Sequence, residues 1–373
     1  MKSNALGTNL KILIVCALVG ILVALVYLVF EAAVSHSTVY VWDTLFHSDT
    51  YRLMVFPLAI ILGLLFFGLQ HWLAPGSDKK ETHSLGGEPI KPTLKNLGII
   101  LVLGFFSLLA GASLGPEAIL VPASVLVGSF LGIKLFKQNK QIAGLMAGAA
   151  MMALMAAFFH SFFVGLLSVL LVAHQLKTPI NAKLIVVAII ASAASYATLQ
   201  LIDPSNTYLV LPPFSWEAAI TDILVGGILI VLGYLSTFGV KYAHAGVEKI
   251  RSFMNLNSWW KLGLFASTGL AIIYFIGGSL IEFTGNKSIA PLAEQATSLG
   301  LFALIVILIM KIIAIAWSRA MGYRGGLIFP MIFVASALVI ILIHIFPSAH
   351  FGVGLIAALV GILAAEKKAK ILL

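Results

Sequence analysis

At 373 residues, with 61% hydrophobic and only 10% charged positions and a mean hydropathy of +1.08, the chain reads as an all-α polytopic membrane protein. Soluble domains carry about 25% charged residues, which counts against a large soluble core. The formal charge of +9 raises nucleic acid as a partner, but the basic residues sit between apolar runs, without a groove-like cluster of interleaved aromatics, so a lipid bilayer is expected and nucleic acid is not.

The first apolar run, from about Leu10 to Ala33, is long enough to span and lacks a small-residue cleavage site, so a retained helix is expected rather than a signal peptide. It contains the single cysteine, Cys16, which leaves no intramolecular disulfide and no cysteine-based metal site. A second run, Leu53 to Leu73, leads into the hydrophilic stretch from Ala74 to Asn96. Two shorter runs follow, Leu97 to Ala110 and Ala118 to Ile133, separated by Gly115-Pro116-Glu117. A charge at membrane depth costs roughly 2.5 to 3.5 kcal/mol on insertion scales, which makes Glu117 a functional-site candidate. Gly115 breaks the run, and Pro116 suits the first turn of a new helix. A helix that starts inside the bilayer aims free N–H groups and its positive dipole end into the protein, which is a natural anion site. Further short runs, Ala143 to Met155 and Phe158 to His174, predict discontinuous helices, and Ala182 to Leu201 crosses to a proline-containing loop.

From Phe214 the pattern begins again. A run from about Ala218 to Val240 ends in an expected basic loop with Lys241, Lys249 and Arg251. Leu262 to Leu280 crosses back, and Leu299 to Trp317 leads to Gly325-Gly326 and another apolar run to Phe346. Gly325-Gly326 again opens a helix inside apolar sequence. Matching interruptions predict an inverted repeat, with residues 1–213 and 214–373 as its halves and a site at their interface. Nearly every Lys and Arg then falls on one side, which the positive-inside rule makes cytoplasmic together with the N-terminus, in the cell (inner) membrane; Arg52, Lys287 and the intramembrane Lys311 are the exceptions.

Order, spacing and two-half context together resemble the CLC family of chloride channels and proton-coupled chloride transporters. The family's Gly-Arg-Glu-Gly-Pro motif reads here Gly115-Pro116-Glu117-Ala118-Ile119, which keeps the glycine and the glutamate but not the arginine, second glycine and proline; its Gly-x-Phe-x-Pro motif reads Gly326-Leu327-Ile328-Phe329-Pro330, with Ile328 where phenylalanine is usual. The resemblance also takes in the Ala17 to Ala33 run and Trp72-Leu-Ala-Pro75. It implies a homodimer that conducts chloride or a similar small anion, with protons as a second candidate species. Glu117 would be the gate. The backbone around Gly115, Pro116, Ala118 and Ile119 would line an outer anion site, and Gly326, Leu327 and Ile328 would hold a central one.

Three departures accompany the resemblance. The family's pore serine has two candidate registers, one at Ser77 and one nearer Lys80. The inner proton-relay glutamate of coupled transporters is matched by Val172, with no carboxylate nearby, which favours uncoupled flow over exchange. The chain stops at Leu373, where the family continues to a pore tyrosine, so either that segment is dispensable or this is a shortened relative. A non-transporting scaffold or regulatory subunit is the reading from another class.

Lys311 lies where the family often carries a base, and is open between attracting an anion and pairing structurally. His160 and His174 read as helix-end histidines rather than replacement relays. Trp259-Trp260 reads as an interfacial belt, and the small residues of 147–157 and 191–197 as close helix packing. No nucleophile and base pair, HExxH or phosphate loop is present, so neither an enzyme nor a cofactor is expected.

Overall fold

The computed structural model describes residues 2–44, 51–75, 91–136, 139–175, 179–204, 208–212 and 220–371. Ser77, and the expected boundary between the halves at 213–214, lie outside the described residues. Among the described residues thirteen α-helices follow one another: α1 (Lys2–Thr38), α2 (Tyr51–Leu73), α3 (Leu94–Leu109), α4 (Glu117–Leu135), α5 (Lys140–Phe158), α6 (Phe162–Leu167), α7 (Val169–Gln175), α8 (Ala182–Ile202), α9 (Ile220–Phe253), α10 (Trp259–Gly277), α11 (Ile289–Met321), α12 (Ile328–Ile345) and α13 (Phe351–Ala369). Among the described residues, nine segments are long and apolar enough to cross a membrane.

Several boundaries differ from the sequence expectation. Helix α9 runs on to Phe253, so Lys241, Lys249 and Arg251 stand on a helical extension and not in a loop. Residues such as Ala, Glu, Lys and Arg favour helix whether or not they are in lipid, and the apolar run marks only the membrane-embedded part. The expected helix over Phe158 to His174 is divided into α6 and α7 at Ser168, whose hydroxyl donates to Gly165 O at 2.6 Å. Helix α11 begins ten residues before its apolar run and is broken at Gly300, whose φ of 73° is accessible to glycine at little cost. Helix α13 was not anticipated, although Phe351 to Ala365 is an unbroken run of apolar residues and glycine; Glu366, Lys367 and Lys368 stand only in its last turns.

The helices gather into two compact units that interleave along the chain, a different division from the two sequence halves. One comprises Met1–His36, Glu88–Val102 and Ile119–Leu209. Its small residues bring α5 and α8 together as expected: Ser195 Oγ donates to Ala153 O at 2.8 Å and Ser192 Oγ to Met152 O at 3.5 Å. Side-chain caps open both helices, Asn139 accepting from Gln141 and Ile142 N–H, and Asn181 from Leu184 N–H.

The other unit comprises Ser37–Gly87, Leu103–Ala118 and Val210–Leu373. Here α9 and α13 approach so closely that a Cβ on Gly233 would lie 2.2 Å from Ala358 O, and one on Gly361 only 2.0 Å from Ile230 O. Each glycine lets the facing backbone in, the small-residue mode of membrane helix packing. Helix α12 is apolar all round and buried along nearly its whole length, so this unit is built around it.

Gly361→Val would force α13 off α9. Overpacking of this kind costs about 1 to 3 kcal/mol, and we expect a lower melting temperature in detergent, with Ala357→Val, on a neighbouring position, as the comparison.

Candidate functional site

The two interruptions singled out in the sequence meet within the second unit. Gly115 N–H donates to Gly326 O at 2.8 Å, and Gly326 N–H donates to Gly115 O at 2.7 Å, a single antiparallel bridge. Three further bonds run alongside it. Ser107 Oγ donates to Arg324 O (2.8 Å) and accepts from Arg324 N–H (2.7 Å), while Ser113 N–H donates to Ser318 Oγ (3.0 Å). The α3–α4 linker is thereby zipped to the α11–α12 linker.

At the end of this zipper the Glu117 carboxylate meets the start of α12. Its Oε1 accepts from Ile328 N–H at 2.5 Å and from Phe329 N–H at 3.4 Å. Leu327 is the N-cap and offers no side-chain acceptor. The intrahelical ladder begins with Met331 N–H on Leu327 O, and Pro330 has no N–H to give. Ile328 and Phe329 are therefore the orphan donors that an α-helix start must satisfy elsewhere. A carboxylate 211 residues away in the chain satisfies them. The helix dipole favours the same charge.

Glu117 is 2% exposed, and its Oε2 is buried with no hydrogen-bond partner among the described residues. Both glycines of the bridge leave room for it. A Cβ on Gly115 would lie 2.0 Å from Oε2, and one on Gly326 would lie 2.3 Å from the Glu117 Cγ.

The other residues singled out in the sequence take varied places. The Gly115 and Gly326 amides are spent on each other and are not available to a ligand. Pro116 is buried and, as a proline, has no N–H, so it cannot serve as an amide donor. Ala118 and Ile119 stand in the first turn of α4, half-buried and buried respectively. Leu327 is buried and Ile328 half-buried. Phe329, not singled out beforehand, supplies the second donor to Glu117. Val172 is buried in α7, in the other unit.

Lys311 is fully buried, and its Nζ donates to Ile281 O (3.0 Å) and Phe283 O (2.6 Å), 5.0 Å from the centroid of the Phe333 ring on α12. It thus holds the loop after α10. That loop and the end of α10 in turn hold the α3–α4 linker: Thr284 Oγ1 in the loop donates to Leu114 O at 2.8 Å, and Tyr274 OH on α10 donates to Gly111 O at 2.5 Å while accepting from Phe283 N–H. Trp42 Nε1 donates to Leu109 O at 2.9 Å. The buried carbonyls at the end of α3 and in the linker are thus taken up by side chains far away in sequence, and no local pattern marks those side chains.

The family model described as "Voltage gated chloride channel" matches residues 75–373. The "Putative ion-transport protein YfeO" of Escherichia coli O127:H6 (strain E2348/69 / EPEC) is 27% identical over 284 residues, covering 74% of this chain and 64% of that protein; its counterpart in Escherichia coli O1:K1 / APEC is 26% identical with the same coverage. The alignment thus spans less than two thirds of those relatives' length. Among solved structures, a slow cyanobacterial Cl−/H+ antiporter superposes with TM-score 0.73 at 18% identity over 95% of this chain and 85% of that one. A CLC-type fluoride/proton antiporter gives 0.64 at 17% identity, over 96% and 87%. The fold is accordingly that of an all-α membrane protein of two inverted halves with discontinuous helices.

Thr284→Val removes the donor to Leu114 O and leaves a buried carbonyl unmet, at about 1 to 3 kcal/mol. The melting temperature in detergent is expected to fall for Thr284→Val and to hold for Thr284→Ser.

Proposed function

The chain belongs to the voltage gated chloride channel family, and from that premise we propose that it carries chloride or a similar small inorganic anion across the membrane, gated by Glu117. The observation that supports this most is the seat of the Glu117 carboxylate on the Ile328 and Phe329 N–H groups. A helix start that binds a side-chain anion can bind a free one in its place, since backbone amides read charge and size. Two negative charges cannot share those donors at hydrogen-bond distance, so carboxylate and anion compete. Protonation neutralises Glu117 and weakens its hold on the helix start, while leaving the donors able to receive an anion.

The Gly115–Gly326 bridge serves to fix the distance between carboxylate and donors. Lys311 acts through the loop carbonyls it holds, and positions Leu114 and Gly115 rather than meeting the anion itself. Gly326 and Leu327 belong to the central site as backbone, with Ile328 and Phe329 as its donors; Ala118 and Ile119 contribute the amides of the outer site.

We assign uncoupled flow, because Val172 offers no group able to carry a proton. Proton-coupled exchange is the second reading, favoured by the likeness to structures described as antiporters. The alternation of spans and the distribution of basic residues support a multi-pass protein of the cell (inner) membrane with its N-terminus in the cytoplasm. Assembly as a homodimer, and the 1–213 and 214–373 division of the repeat, rest on the family pattern.

In liposomes, chloride efflux should rise several-fold as the pH falls from about 7.5 to about 4.5, toward the value of about 4.3 at which an ordinary glutamate is half protonated. Glu117→Gln should be fast at both values. Equal efflux at both pH values together with an unchanged Glu117→Gln would remove Glu117 from gating. A pH electrode should record no proton uptake under an opposing chloride gradient; uptake would establish exchange.

A further inference from the structure

Away from Glu117, a crevice of about 500 Å³ opens among α2, α10 and α11 in the second unit. Its size is that of a ligand site. Arg52, at the start of the α2 span, and Gly277 and Gly278, where the α10 span ends, all line it. Two span ends on one crevice place part of it toward the boundary between hydrocarbon and headgroups. Gln295, on the first part of α11, lines it too. Beyond the Gly300 break, Phe302, Ala303, Val306 and Ile307 form one face of α11 along the crevice, and Phe302 is 82% exposed.

Arg52 is exposed and, among the described residues, has no ion-pair partner. Glu282, the one acidic residue on the wall, is 4% exposed and already engaged within the protein. A cation at headgroup level above an apolar, lipid-facing helix stripe matches one class of molecule abundant in the surroundings. We infer that this crevice binds a phospholipid of the bilayer, its phosphate on the Arg52 guanidinium and an acyl chain along Phe302 and Val306. Arginine suits the role, because its planar fork meets phosphate oxygens in pairs, and its stem can lie along apolar surface while the charged end stays at the interface. The acyl chain supplies the remaining contact by covering the α11 stripe.

Native mass spectrometry of the full chain in detergent, titrated with palmitoyl-oleoyl phosphatidylethanolamine, tests the site without reference to transport. One tightly held adduct per chain is expected. Arg52→Gln should weaken it about fivefold, the worth of one basic residue at a lipid surface, and Arg52→Lys should recover part of the loss. Val306→Trp, which fills the crevice, should abolish the adduct, and diacylglycerol with the same chains should give none. Arg52 is exposed, so its variants retain the fold and carry the test even if Val306→Trp does not. Equal adducts for wild type and Arg52→Gln, or diacylglycerol bound as tightly as the phospholipid, would overturn the assignment.

Discussion

A helix that begins inside a membrane protein has N–H groups that neither its own turns nor water can satisfy, and the start of α12 is organised around that constraint. Pro330 removes one such donor and the Leu327–Met331 ladder bond begins the helix proper, leaving Ile328 and Phe329 N–H to be met from outside. Glu117 meets them. The carboxylate, costly in hydrocarbon on its own, and the unmet donors, costly for the same reason, offset each other. On this reading any anion of the right size can take over the carboxylate's part, which turns a structural pairing into a gate.

The surrounding bonds keep that pairing in register. Ser107 with Arg324, Ser113 with Ser318 and Gly115 with Gly326 align two non-helical linkers, which would otherwise leave backbone groups unmet in a dry interior. The loop after α10, held by Lys311, adds Thr284 to the same linker, and α10 itself adds Tyr274. Two glycines are required where the Glu117 side chain passes, since either Cβ would collide with it. The polar groups in this apolar chain are thus concentrated where the backbone leaves regular helix.

Much of this was legible in the sequence, for physical reasons. An acidic residue between apolar runs and two glycine breaks at matching depth stand out against 61% hydrophobic composition, and they identified both ends of the bridge and the Glu117 site. Helix positions within lipid were legible because hydropathy reports them. Where helix and hydropathy part company, the sequence misled: the α9 extension and the early start of α11 were both missed. The apolar run of α13 was passed over as well. Phe329 N–H was not among the expected amides, because the N-cap and the proline that set which N–H groups are free act only once the helix start is fixed. Thr284, Tyr274 and Trp42 carry no local signal, since each meets a carbonyl between 67 and 170 residues away.

The central claim is that the Glu117 carboxylate stands where a permeating anion binds. Bromide soaked into crystals of the wild-type protein and of Glu117→Ala at neutral pH, located by anomalous scattering, tests it directly. No bromide is expected at the Ile328 and Phe329 N–H groups in the wild type, and an ordered bromide at hydrogen-bond distance from both is expected in Glu117→Ala. A Glu117→Ala site that stays empty at saturating bromide, or equal bromide density there in both proteins, would contradict it.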